Sequence, residues 1–411
     1  MWEGGLFRRL IIKYIRGFRI MPTLFDPTFV NLSLLRQRAF NLRWASQPEG
    51  VIPLTAADPD FPVAEPIREA ICQFSREGYF SYGDTHGYAP FREALAAHYA
   101  FVKKAVFQPE HVLPVDSASY GIYLICKSFL SEGDEAIIFD PVDFLFRYSI
   151  ESVGAHAVPF PIPPGTSRVD FSELEALITP RTRLICLCNP LNPTGKVFTK
   201  AELQQLGGIA VSHDLLILSD EIWSDIVFPP AVFTSMASLD EAIARRTITV
   251  TGFSKSYGLA GLRVGAVMTA DPDRYDRIFR RSLHESTVHG ANLLGQVAAT
   301  AALTECGGWL SEFLQHLNRM RDITVSELNK VPGFSCLPPE GCYVAFVDIH
   351  GTGKTSADLH RLLLDRARVA VVPGLKQWFG DGASGYIRLC FATSESILRE
   401  ALQRIQGVAP A

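Results

Sequence analysis

Along the middle of the chain, short apolar runs end on polar residues one after another. EAIIF ends at Asp140, LICLC at Asn189, LLILS at Asp220 and ITVTGFS at Lys255. Helix-period stretches such as KAELQQLGGIAV (residues 200–211) lie between some of them. Continuous apolar runs alternating with helical segments predict buried strands in a mainly parallel sheet wrapped by helices, an α/β architecture. In such sheets ligands gather beyond the carboxyl ends of the strands. The polar residues that end the runs are therefore expected to meet in one crevice.

The flanking stretches fill in the picture. VIPLTAADPDFP (residues 51–62) spaces prolines around two aspartates and predicts an extended, looping path at the edge of a site. In GYFSYGDTHGYAPFREALAAHYA (residues 78–100) turn residues precede a helix that starts near Pro90, which leaves Tyr79 and Tyr82 on a loop. DSASYGIYLICKSFLSEG (residues 116–133) predicts an apolar helix with a glycine stop. Its N-terminus, with Ser117 and Ser119, suits an anion, although the same residues serve equally as ordinary caps. From about residue 305 the pattern changes to one long helix, the strand-like runs YVAFVDI, VAVVPG and YIRLCFA, and a last helix ESILREALQRI. The organisation read from this is a basic extension or miscalled start at 1–20, and an arm with part of a small domain at 21–58. A large domain at 59–304 and a small α+β domain at 305–411 complete it.

A chain of 411 residues has room for two or three domains, and 47% hydrophobic with 20% charged residues is the balance of a soluble globular enzyme. The net charge of -4 and the scattered lysines and arginines exclude a nucleic-acid surface. Eight cysteines without a CxxC pair read as reduced thiols of a cytoplasmic protein, and no metal site is read from the sequence. Residues 1–20 set Arg8, Arg9, Lys13, Arg16 and Arg19 against Glu3 alone. That pattern fits an anionic membrane surface or an import peptide, and more simply a start codon misplaced ahead of Met21. No segment has the run of about 18 to 20 apolar residues that spans a membrane.

The candidate chemistry centres on TITVTGFSKSYGLAGLRVG (residues 247–265). A lysine that is partly desolvated and near a cation has a lowered pKa and becomes an effective Schiff-base former, and Lys255 with Arg263 eight residues on suits that need. A lone Ser254-Lys255 pair more often belongs to a surface. Asp220 at a strand end can hold a protonated ring nitrogen, Asn192 can donate to a ring hydroxyl, and Lys255 can move an α proton. Arg388, flanked by apolar residues, needs an anion there, either a substrate carboxylate or an internal Asp or Glu.

NPLNPTGKVF, LSDEIWSDIVF, TGFSKSYGLAGLRVG and YIRLCFATSE, in this order, resemble the fold-type I pyridoxal-phosphate enzymes of the class I/II aminotransferase family, from about Leu54 to the C-terminus. The resemblance implies an aspartate aminotransferase-like fold with a seven-stranded sheet. It implies pyridoxal 5'-phosphate held as an internal aldimine on Lys255, a phosphate cradle of Ser117, Ala118, Ser119, Ser254 and Arg263, and Asn192, Asp220 and Trp223 around the ring. The substrate would meet Ala57, Asn192 and Arg388. A homodimer is implied, in which Tyr82 reaches the neighbouring subunit's phosphate, with an amino acid and a 2-oxo acid as substrates. Three positions depart from the family pattern. Asp143, followed by Phe144, stands where an aromatic ring usually stacks on the cofactor, Trp223 replaces a tyrosine, and Gly252 replaces a serine. DEIWSDIVF and NLRW are similar to cystathionine β-lyase type C–S lyases, whereas LTAADPDFP and FSKSYGLAGLRVG are more similar to aminotransferases, so transamination is expected and β-elimination is the alternative. A non-catalytic module of a DNA-binding regulator is disfavoured by the short basic segment ahead of the enzyme-like region. Arg280, Arg281, His284 and His289 read either as side-chain selectors or as solvated helix-edge residues.

Overall fold

The computed structural model describes Phe25 and residues 27–408, so the expectations for residues 1–20 and Met21 lie outside the described residues. After a short strand β1 (Ile52–Pro53) come β2 (Val112–Val115), β3 (Glu135–Asp140), β4 (His156–Pro161), β5 (Thr182–Cys188), β6 (Leu216–Asp220), β7 (Thr247–Gly252) and β8 (Gly265–Thr269). Strands β2 to β8 form one seven-stranded sheet in the order β2-β8-β7-β6-β5-β3-β4. Neighbours from β4 through to β7 pair in parallel, and β8 runs antiparallel to both β2 and β7. Each of the four apolar runs is a strand, and each polar residue named for it lies at or just past the carboxyl end.

Burial explains why these runs are strands. All six residues of β7 are buried, and β-branched side chains there pack against both covering layers. The helix Ala118–Phe129 crosses β7 and β8 closely: a Cβ on Gly121 would lie 3.1 Å from Val250 and from Val267. That close approach fixes the helix N-terminus at the end of the sheet where the polar residues gather.

Toward the C-terminus lie β9 (Ser335–Cys336), β10 (Val344–Asp348), β11 (Val369–Ala370), β12 (Val372–Pro373) and β13 (Tyr386–Cys390), with the helices Gly307–Leu328 and Glu395–Gln406. VAVVPG divides, since β11 pairs in parallel with β1 while β12 joins the four-stranded antiparallel sheet β12-β13-β10-β9. Arg388 sits on β13 between Phe346 and Val372. One apolar cluster runs from Ile137 and Leu218 in the large sheet to Val344 and Leu389 in the smaller one. Seven of the eight cysteines are buried, Cys72 is exposed, and all are free thiols. Among the described residues no helix is long and apolar enough to cross a membrane.

Candidate active site

The carboxyl ends of β5, β6 and β7 and the loop after β3 open into one cavity of about 540 Å³. Lys255 reaches it from the loop after β7. Phe253 O accepts from Tyr257 N at 3.3 Å and Leu259 N at 3.1 Å, which turns the chain, and Ser256 Oγ donates to Asp225 Oδ2 at 2.9 Å. Asp225 is itself paired with Lys103 Nζ at 2.5 Å, so the lysine loop is braced from behind. Burial lowers the Lys255 amine below the ordinary lysine range; Asp58 pulls it back up, and Arg388 pushes it down further.

Lys255 Nζ donates to Ala57 O at 2.7 Å and lies 5.4 Å from the centre of the Trp223 ring. Ala57 is held in place by a clamp. Arg43 Nη1 donates to Pro53 O at 2.7 Å, and Arg43 Nη2 and Trp44 Nε1 both meet Asp60 Oδ1, at 2.5 and 2.7 Å. The NLRW stretch thus pins LTAADPDFP against the site. Tyr343 Oη adds a hydrogen bond to Ala57 O at 3.3 Å.

The residues that the sequence offers for an anion also line this cavity. Ser117 caps the helix Ala118–Phe129, its Oγ accepting from Tyr120 N at 3.1 Å and lying 2.9 Å from Ser119 Oγ. Gly265 passes beneath, where a Cβ would lie 2.8 Å from Ala118 N, so the strand closes on the cradle only without a side chain. Arg263 takes the left-handed conformation at φ 50° and, with Ser254, faces the cavity; it has no carboxylate partner among the described residues. At Gly252 a Cβ would make ordinary contacts of 3.4 Å with Ile222 and 3.5 Å with Ala118, so a serine would fit but its hydroxyl is absent.

Arg388 is buried, and the internal salt bridge that could have explained it is absent among the described residues. Its Nη1 donates to Asn192 Oδ1 at 3.0 Å and Nη2 to Thr55 O at 3.3 Å, while Nε has no partner. Its guanidinium lies 5.0 Å from the Phe379 ring centre. Phe144 lines the cavity but sets its ring edge-on against Trp378 and Tyr148, at 5.4 and 5.6 Å. Trp378 and Phe379 carry no sequence signal, since KQWF shows neither a motif nor a full helical period.

Tyr82 stays outside this cavity, 86% exposed, with its ring 5.1 Å from that of His289. Arg280 and Arg281 are exposed at the end of the helix Pro272–Ser282, and His284 is buried against Phe279. Neither Tyr82 nor any of the four candidate selectors Arg280, Arg281, His284 and His289 lines the cavity.

Residues 49–405 match the family described as aminotransferase class I and II. The chain belongs to that family. The probable aspartate/prephenate aminotransferase of Aquifex aeolicus is 32% identical over 362 residues, covering 87% of this chain and 90% of that protein. The crystal structure of an aromatic aminotransferase from Pyrococcus horikoshii OT3 superposes with a TM-score of 0.82 at 30% identity, over 92% of this chain and 98% of that one. A PLP-bound putative aminotransferase from Clostridium difficile 630 gives a TM-score of 0.84 at 26% identity, over 91% and 97% of the two chains. The architecture of this class I/II aminotransferase is accordingly fold type I, and its chemistry is that of pyridoxal-phosphate-dependent transaminases.

The residues present fit that cofactor. The capped helix and Arg263 suit a phosphate, the lysine amine suits an aldehyde, and Asp220 is a buried carboxylate suited to a cationic ring nitrogen. Burial pushes the Asp220 carboxyl up to about 7, with Asp143 and Glu221 acting in the same direction. Because this folded-state value lies above that of the unfolded chain, the folded protein holds the proton more tightly, and stability is lost as pH rises through the interval between them. Cofactor-free aminotransferase is therefore expected to melt at lower temperature at pH 8 than at pH 5.5. Burial also pushes the Glu221 carboxyl up to about 7, so Asp220→Asn is expected to lessen that slope in a thermal-melt series without removing it, and an unaltered slope would remove Asp220 as a source.

Proposed function

We propose that this aminotransferase moves an amino group between an L-amino acid and a 2-oxo acid, with pyridoxal 5'-phosphate bound covalently through Lys255 Nζ. When bound, the cofactor supplies an aldehyde and an electron-accepting ring. Ser117, Ala118, Ser119, Ser254 and Arg263 hold the phosphate through backbone N–H groups, hydroxyls and charge. Asp220 keeps the ring nitrogen protonated, Asn192 donates to the ring hydroxyl, and Trp223 packs beside Lys255. Lys255 Nζ would be the base that takes the proton from the substrate α carbon and holds it within the cavity. Ala57 lines the substrate side, and Arg388 grips the α-carboxylate in a bidentate fork.

The observation that carries this reading is Arg388: a buried guanidinium with an unpartnered Nε on the wall of the cavity that also holds Lys255. A substrate carboxylate supplies the anion it lacks. The test is a screen of purified protein loaded with pyridoxal phosphate against each amino acid. Bleaching of the visible band with release of the 2-oxo acid of unchanged carbon skeleton establishes transamination. Pyruvate and ammonia with the band retained would instead establish β-elimination.

Tyr82 supports a homodimer. With Tyr79 and Phe80 it forms an exposed aromatic loop, 81%, 62% and 86% exposed at Tyr79, Phe80 and Tyr82, as expected of a segment that a second subunit covers. Tyr82 then donates its hydroxyl to the phosphate in the neighbouring site. Light scattering is expected to give the mass of two chains, and Tyr82→Phe to weaken cofactor retention about tenfold, the worth of one hydrogen bond to a charged group. A monomer with full cofactor occupancy would remove this part of the reading.

A further inference from the structure

Asp143 stands on the cavity wall where the family pattern usually places a ring, and none of the roles above uses its carboxylate. Its backbone N–H donates to Asn192 O at 3.1 Å, its Oδ2 accepts from Asn192 Nδ2 at 2.8 Å, and its Oδ1 accepts from Leu145 N at 3.3 Å. Asn192 Oδ1 in turn accepts from Arg388 Nη1 at 3.0 Å. The three side chains form one line of hydrogen bonds from the loop after β3 to β13.

An amide has a donor end and an acceptor end, and half a turn would set its NH2 against the guanidinium, donor against donor. An ionised carboxylate can only accept. Asp143 therefore selects the orientation in which Asn192 offers its oxygen to Arg388. Burial raises the Asp143 carboxyl above the usual carboxylate range, and Arg388 and Lys255, which line the same cavity, draw it back toward the charged form.

We propose that Asp143 is a positioning residue: its carboxylate orients Asn192 for Arg388 and sets an acidic group, in place of a stacking ring, on the wall of the cavity that Lys255 also lines. The inference rests on the roles given above to Lys255 and Arg388. It makes the site's electrostatics, rather than a ring on the cofactor face, the device that distinguishes this chain from the family pattern. Lys255 is faced by Asp58 from the N-terminal stretch, Asp143 from the loop after β3, Asp220 from β6, Arg388 and Cys390 from β13, and Cys342 just ahead of β10. The test exchanges Asp143 alone.

Wild type, Asp143→Asn and Asp143→Phe are loaded with pyridoxal phosphate, and the visible absorption is titrated against pH. KM and kcat are measured with several amino donors, and thermal melting reports the fold. Removing a negative charge beside a cation disfavours the protonated form, so both variants are expected to lower the titration midpoint by about one unit. KM is expected to rise about tenfold for every donor with a smaller change in kcat, because the amide no longer has one enforced orientation. A wild-type midpoint and wild-type KM in Asp143→Asn would overturn the proposal, as would their retention in Asp143→Phe. Should wild type itself show no pH-dependent visible band with pyridoxal phosphate, the role given to Lys255 fails instead, which the titration separates from failure at Asp143.

Discussion

Lys255→Ala is expected to abolish the visible absorption of the bound cofactor and to lower turnover by about 10^4-fold, the upper end of what a positioned acid–base group contributes. The fold should persist. The side chain's hydrogen bond is to a single backbone oxygen, that of Ala57, and the loop around it is held by Ser256, Asp225 and Lys103. Dialysis against pyridoxal phosphate followed by a spectrum and a steady-state assay reads both quantities. A wild-type spectrum in the variant would show that another amine holds the cofactor.

Arg388→Ala should lower kcat/KM by roughly 10^2 to 10^3-fold for all amino donors alike, since truncating one partner of a buried, hydrogen-bonded charge pair costs about 2 to 5 kcal/mol. Uniformity is the informative part. Every α-amino acid presents the same carboxylate, so a clamp on that group cannot discriminate among side chains. Arg388→Lys should recover little, because a lysine lacks the planar fork that meets two oxygens at once. Damage confined to one donor would place Arg388 at a side chain instead.

Most of the candidate site was legible because its residues sit at strand ends, and strand ends are marked by abrupt changes from apolar to polar. Asp220 and Lys255 are of this kind, and the resemblance then gave each a role. Other parts carried no such mark. β2 and β4 contain prolines, and β4, an edge strand with only Phe160 buried, lacks the continuous apolar run of a central strand. Trp378 and Phe379 are brought to the cavity by the pairing of β12 with β13 and by their backbone oxygens, which accept from Phe144 N at 3.0 Å and Val142 N at 2.9 Å, contacts between distant stretches that no local pattern encodes. The bond from Asp143 to Asn192 spans 49 residues and was invisible for the same reason; the sequence showed a missing ring but not the acceptor in its place.

The cavity has two unlike walls. One consists of strand ends and the helix Ala118–Phe129, with Ala118, Ile122 and Cys188 in the shared core; the other includes Asn41, Leu42 and Trp378, on short segments outside that core. A substitution on the first wall disturbs packing and chemistry together, whereas one on the second alters the shape offered to a substrate and little else. The fold thus separates what must be inherited from what is free to vary. A laboratory selection for a new amino donor should accumulate its changes around Asn41, Leu42 and Trp378 and leave the strand ends untouched, and winners that instead rebuilt Asp220 or Asn192 would show that the two walls do not evolve independently.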